Sequence, residues 1–277
     1  MKYVIIEPAS SWTQSELSEK IQKISLKLRL DISIASTSEL NEAITDISAH
    51  AEKQGLDTII AVGSLGWFDQ VVSTALRTFS QAEKQIPVFA HLATPRSFPG
   101  ANRLPAYLES RLQQGLSAIA ARKISEQPVY VCGDAIWFLH SLDLQIDNTA
   151  PNHSRFTITT PGSGTLKLQA NPEKLHISTE HTILDQDNHH LTVLAQQRQL
   201  TQQPQHVDAG FLQAVKKKVD TYLYEDVFHV PASSLTIEST QGYQAPEYNL
   251  RLPVKTTIRA ADFKVRCIVP KNDISKY

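Results

Sequence analysis

Residues 1–125 switch repeatedly between two hydrophobic rhythms. Short apolar runs at Tyr3–Ile6, Asp31–Ala35, Asp57–Val62 and Pro87–Leu92 predict strands, and the nearly all-apolar run Asp57–Val62 predicts one covered on both sides. Between them apolar residues recur at helical spacing: Leu17, Ile21, Ile24 and Leu28 in Ser15–Leu30, then Leu40, Ala43, Ile44, Ile47 and Ala51 in Ser38–Gln54. Val71, Val72, Ala75 and Phe79 give a third helix over Phe68–Ala82. Pro105–Arg122 closes the series as a helix, with Pro105 at a first-turn position that tolerates proline. Strands alternating with helices of this length predict a parallel sheet with helices on both faces.

After Gln127 the rhythm changes to period two. Strands are predicted at Val129–Cys132, Ile136–Leu139, Arg155–Thr159, Leu166–Gln169 and Leu175–Ser178. Further ones follow at Leu191–Ala195, Thr221–Phe228, Ser234–Glu238 and Phe263–Val269, separated by Pro, Gly, Asn and Asp clusters. The expectation is an α/β domain over residues 1–125 and an all-β, sandwich-like domain over 126–277, hinged near Ser125-Glu126-Gln127-Pro128. A ligand site between such halves is expected at the carboxyl ends of the parallel strands.

Composition narrows the function classes. The chain has 277 residues, 41% hydrophobic and 20% charged, enough for a globular core. A net charge of −1 with scattered positives predicts no nucleic-acid partner. Lys216-Lys217-Lys218 is the lone basic cluster and reads as a solvated helix face. Cys132 and Cys267 lie in apolar runs, which predicts buried thiols in a reducing compartment. The N-terminal apolar run is too short for a signal peptide, and there is no run of about 20 apolar residues. A soluble, cytoplasmic protein with at most peripheral membrane contact is expected.

The segment from Asp57 to Val72 carries the most chemistry. Its apolar strand runs into Gly63-Ser64-Leu65-Gly66-Trp67, two glycines three apart, followed by an amphipathic helix. A backbone loop so placed can lie against phosphates at a helix N-terminus. This loop resembles the GGDGT loop of the diacylglycerol kinase and sphingosine kinase superfamily, relatives of the NAD kinases. Three further segments are similar in order and spacing. Ile6-Glu7-Pro8-Ala9-Ser10-Ser11 resembles the NPxSG loop, with Glu7 in place of Asn. Ile86 to Pro105 resembles the segment ending in a GTGND-type loop, of which Thr94 is retained. Leu252–Arg259 and Phe263–Pro270 resemble the final strand pair, preceded by Ala245-Pro246-Glu247 where a DGE triplet is expected.

The resemblance implies ATP and Mg²⁺ as cofactors and a lipid hydroxyl as phosphoryl acceptor. It also implies a nucleotide site at Ser10, Gly63, Ser64, Gly66, Trp67, Thr94 and Arg96. Yet the Asp of GGDGT is Leu65 here, which can neither hold a metal nor accept a proton. Ser64 brings a Cβ to a position where the family's glycine allows positive φ. Trp67 replaces Thr with a ring that either stacks on a purine or fills the phosphate space. Asp69 and Glu247 are the remaining carboxylates for catalysis; Asp69 reads equally well as an anion favourable in a first helical turn. The leading expectation is a kinase-like protein impaired in catalysis that keeps an interdomain cleft for binding a nucleotide, a lipid or a partner. The alternatives are an active ATP-dependent lipid kinase and an interaction scaffold without a small ligand.

Other polar clusters are weaker. Asp185–His190 has a turn composition, and His176 with His181 lacks the supporting ligands of a zinc site. Pro161-Gly162-Ser163-Gly164-Thr165 reads as a hairpin turn between two β segments. His91, with Thr94, Arg96 and Ser97, follows a parallel strand on the face where ligands sit in such sheets, or forms an irregular surface loop.

Overall fold

The computed structural model describes residues 1–8, 14–35, 39–94, 106–146, 156–160, 164–168, 174–180, 190–196, 224–230, 234–239 and 242–269. Strands β1 (Lys2–Ile6), β2 (Ile32–Ile34), β3 (Thr58–Gly63) and β4 (Val88–Ala93) alternate with helices α1 (Gln14–Lys27), α2 (Leu40–Gln54), α3 (Leu65–Gln81) and α4 (Ala106–Ala121). Twelve strands follow among the described residues: β5 (Ile124–Cys132), β6 (Ile136–Phe138), β7 (Ser141–Ile146), β8 (Phe156–Thr160), β9 (Gly164–Leu168), β10 (Lys174–Glu180), β11 (His190–Gln196), β12 (Tyr224–Val230), β13 (Ser234–Glu238), β14 (Tyr243–Ala245), β15 (Leu250–Leu252) and β16 (Lys255–Ile268). The class is the expected one, a helix-covered parallel sheet followed by antiparallel β structure. Two compact units result. The first holds Met1–Ser141 and takes the chain back from Arg259, and the second holds the strands between Leu142 and Ile258.

In the first unit the strands lie in the order β2-β1-β3-β4-β16, with each adjacent pair parallel. Alternation along each strand sends side chains to two cores. Val4, Ile6, Ile60, Val62, Val88, Ala90 and Leu92 meet Leu17, Ile21 and Ile24 of α1 and Leu112, Leu116 and Ile119 of α4. Ile5, Ile59, Ala61 and Phe89 meet Ile44 and Ile47 of α2 and Val71, Val72, Ala75, Leu76 and Phe79 of α3. All six residues of β3 are buried, as its unbroken apolar run requires. Cys132 and Cys267 are buried, unpaired thiols, and burial pushes both up to about 12. Neither is a nucleophile at neutral pH.

The second unit contains a six-stranded sheet in the order β12-β11-β10-β7-β14-β15. A second ladder joins β13, β8 and β9, with β13 also paired to β16. Strands β8 and β9 are antiparallel with Thr160 opposite Gly164; Pro161–Ser163, where a hairpin turn is expected, lie outside the described residues. Strand β7, which the sequence reading omits, alternates strictly, with Leu142, Leu144 and Ile146 inward. Strands β14 and β15, of three residues each, are likewise additions. Lys216–Lys218 and Asp185–His189 lie outside the described residues.

Candidate functional site

Strands β1 and β3 are parallel neighbours, with Ile6 opposite Val62. From β1 the chain moves through α1 to β2 on one side; from β3 it moves through α3 to β4 on the other. The order therefore reverses between β1 and β3, and the carboxyl ends of such a strand pair open the crevice where ligands bind in open α/β sheets. Glu7 follows β1 there, and Gly63-Ser64 ends β3 and opens α3.

These residues are bonded to one another. The backbone N–H of Glu7 donates to the Val62 carbonyl at 2.9 Å. Glu7 Oε2 accepts from the Ser64 backbone N–H at 2.8 Å, and its Oε1 accepts from Ser64 Oγ at 3.0 Å. Ser64 Oγ in turn accepts from the Trp67 N–H at 3.2 Å, so Ser64 is the N-cap of α3. The first turn of α3 has no acidic residue of its own. The Glu7 carboxylate, delivered from the neighbouring strand, supplies the negative charge that a helix N-terminus favours.

Gly63 makes that approach possible. Its φ is +155°, and a Cβ on it would lie 2.5 Å from Glu7 Oε2 and 2.7 Å from Glu7 Cβ. Ser64 has φ −73°, an ordinary value for any residue. The unusual backbone thus falls on the retained glycine, and the expected strain at Ser64 is absent.

Trp67 is 7% exposed and belongs to the core beneath the loop, its Nε1 directed to the Ile5 carbonyl at a long 3.5 Å. It stands four residues before Val71 on the buried face of α3, so it offers neither a stacking platform nor a plug for a phosphate space. Gly66 occupies the first turn of α3, and Leu65 is 43% exposed at its first position. Ser10 and Arg96 lie outside the described residues.

Asp69 is fully buried and bound on both oxygens. Oδ1 accepts from the Leu139 N–H at 3.0 Å, and Oδ2 accepts from the N–H groups of His140 and Ser141, each at 3.1 Å. His140 Nδ1 lies 3.1 Å from Asp69 Oδ1. A carboxylate so placed holds the turn between β6 and β7, and that, rather than the start of its own helix, is where its charge is used. Beside it the Phe68 ring packs against two imidazoles, with centroids 5.2 Å from His91 and 5.6 Å from His140. His91 Nε2 donates to the Gly63 carbonyl at 3.0 Å, and the Thr94 N–H donates to the same oxygen at 3.2 Å. Burial is the main influence on His91 and holds its pKa below the usual imidazole value, so the ring is neutral near pH 7. Of the predicted residues, Gly63, Ser64, Thr94 and His91 meet around one carbonyl and one N–H. Glu247 is exposed in the 3-10 turn Pro246–Tyr248 of the second unit. Its charge acts on His176, whose Nδ1 lies 2.6 Å from Asp143.

Comparison with solved structures settles the fold. The chain superposes on an NAD kinase from Archaeoglobus fulgidus in complex with ATP, with a TM-score of 0.57 over 98% of this chain and 94% of that one. It superposes equally on a diacylglycerol kinase from Bacillus anthracis str. Sterne, with a TM-score of 0.58 over 98% and 97%. This is the diacylglycerol kinase and NAD kinase fold. Sequence identities are 10% and 16%, so the likeness is one of fold. No protein-family model and no curated protein matches the chain. Within this kinase fold, sequence reasoning finds the glycine loop but misses Glu7 as its bonded partner. The replacement of Asn by Glu at position 7 is the signal that points there. Among the described residues, no helix is long and apolar enough to cross a membrane.

Proposed function

We propose that this kinase-fold chain is a binding protein that does not transfer a phosphoryl group. Its ligand is a nucleotide, received at the carboxyl ends of β1, β3 and β4. Phosphoryl transfer requires a carboxylate available to hold magnesium or to take the acceptor's proton. The observation that carries the reading is the engagement of Asp69, the acidic residue nearest the loop in sequence, by three backbone N–H groups and an imidazole. Leu65 offers no substitute, and Glu7 is engaged by Ser64.

The test is calorimetry of ATP, ADP and NAD with and without Mg²⁺, alongside an assay for phosphorylated product with diacylglycerol, a sphingoid base and NAD as acceptors. The expected result is nucleotide binding that Mg²⁺ does not strengthen, with no product. Mg²⁺-dependent ATP binding together with product would reject the reading in favour of an active kinase. That second reading draws its support from the kinases that share the fold, one of them bound to ATP. No binding of any nucleotide at millimolar concentration would leave the scaffold reading.

A further inference from the structure

We propose that Glu7 is an internal anion that closes the glycine loop to phosphate. The inference deepens the reading above and rests on it. Two independent features meet at Glu7. The strand order reverses between β1 and β3, which puts the ligand crevice of this sheet at their carboxyl ends, whatever the loop sequence. At that point an anion is already in place: the Glu7 carboxylate takes the Ser64 N–H at 2.8 Å and the Ser64 hydroxyl at 3.0 Å. Gly63 is shaped around it, since a Cβ there would collide with Glu7 itself.

A phosphate arriving at this loop needs the same N–H and the same positive end of α3. It also meets a carboxylate at contact distance, and two anions sharing one set of donors repel. The wild-type loop therefore refuses phosphate while its Ser64 and Trp67 N–H groups stay hydrogen-bonded. A nucleotide bound by this face is held through its base and sugar. Removing the charge while keeping an acceptor for the Ser64 N–H, as Glu7→Gln does, turns the loop into an anion receptor. Glu7→Asn withdraws the side chain by one methylene and opens more room.

The probe is pyrophosphate, titrated by calorimetry into the full-length wild type, Glu7→Gln and Glu7→Asn, each checked for folding by its melting curve without ligand. Both variants are expected to bind pyrophosphate at least tenfold more tightly than the wild type. For any nucleotide that binds, affinity should rise with phosphate number in the variants and stay flat in the wild type. Equal pyrophosphate affinity in wild type and variants, or no binding by folded variants, would overturn the proposal. Should both variants fail to fold, the backbone amide resonances of Ser64 and Trp67 in the wild type decide. They should stay in place up to millimolar pyrophosphate, and a saturable shift would overturn the proposal. The proposed lack of phosphoryl transfer fails separately, only if the wild type makes phosphorylated product.

Discussion

Two turns in the first unit are each held by a carboxylate from elsewhere in the chain, and their settings differ. At Leu139–Ser141 the carboxylate of Asp69 is out of solvent and takes three backbone N–H groups. At the glycine loop the carboxylate of Glu7 is partly buried and takes one N–H and one hydroxyl. A buried acceptor with several donors cannot be withdrawn without stranding them, so Asp69 is a structural residue. Glu7 stands at the rim with a single backbone donor, so its departure strands little. The same chemistry thus makes a fixed joint at one place and a removable stopper at the other.

The sharpest way to break this comparison is Asp69→Ala. It should cost about 3–5 kcal/mol in urea unfolding, because three backbone N–H groups gathered on one fully buried carboxylate lose their acceptor together. Asp69→Asn, which keeps one acceptor oxygen, should cost less. A loss for Asp69→Ala below about 1 kcal/mol would show that the turn holds without it. Next comes Gly63→Ala, expected to cost about 1–3 kcal/mol through backbone strain and collision with Glu7. Combined with Glu7→Ala it should cost less than the sum, and strict additivity in that double-mutant cycle would deny the contact. Glu7→Gln alone should lower stability by about 1 kcal/mol or less, the cost of weakening two exchangeable hydrogen bonds.

The smallest effects are pH-dependent, and two histidines should show opposite signs. His91 has a folded pKa below 6.5, chiefly through burial. Its contribution is complete above pH 6.5 and is lost as pH falls through the folded value, because the unfolded chain takes up the proton first. His176 has a folded pKa above 6.5, chiefly through its hydrogen bond to Asp143. Its contribution is complete below pH 6.5 and is lost as pH rises through the folded value. Melting temperatures from pH 5 to 8 should show His91→Gln removing part of the acid-side decline and His176→Asn removing part of the alkaline-side decline. Identical profiles for wild type and both variants would discount the two shifts.

The alternating half is legible in the sequence because each element carries its own rhythm. The two cores follow from which of two neighbouring apolar residues faces which helix pair. Helix α3 begins at Leu65, three residues before Phe68, because the cap is a serine hydroxyl inside the glycine loop and not a periodic position. Strand β16 runs from Lys255 although the apolar signal starts at Phe263, since its first part alternates with charged residues. The three-residue strands β14 and β15 are too short to have a period, and only their neighbours define them. The site shows the same limit. Gly63 announces itself, but its partner Glu7 lies 57 positions away and reaches it only through sheet order. Asp69 was readable as a helix-turn anion, while its true donors lie 70 to 72 positions on. Trp67 was within reach: its spacing from the inward Val71 already assigns it to the core.

Strand β16 sets the order in which the molecule can be assembled. Its far end completes the parallel sheet beside β4, with Cys267 opposite Phe89, and Arg266 reaches the Ile86 carbonyl across 180 positions of sequence. During synthesis the open edge of β4 must wait for a segment about 180 positions further along the chain to be made. An exposed apolar strand edge invites pairing with the wrong partner. The nascent protein is therefore vulnerable to aggregation throughout the interval in which β4 is made and β16 is not.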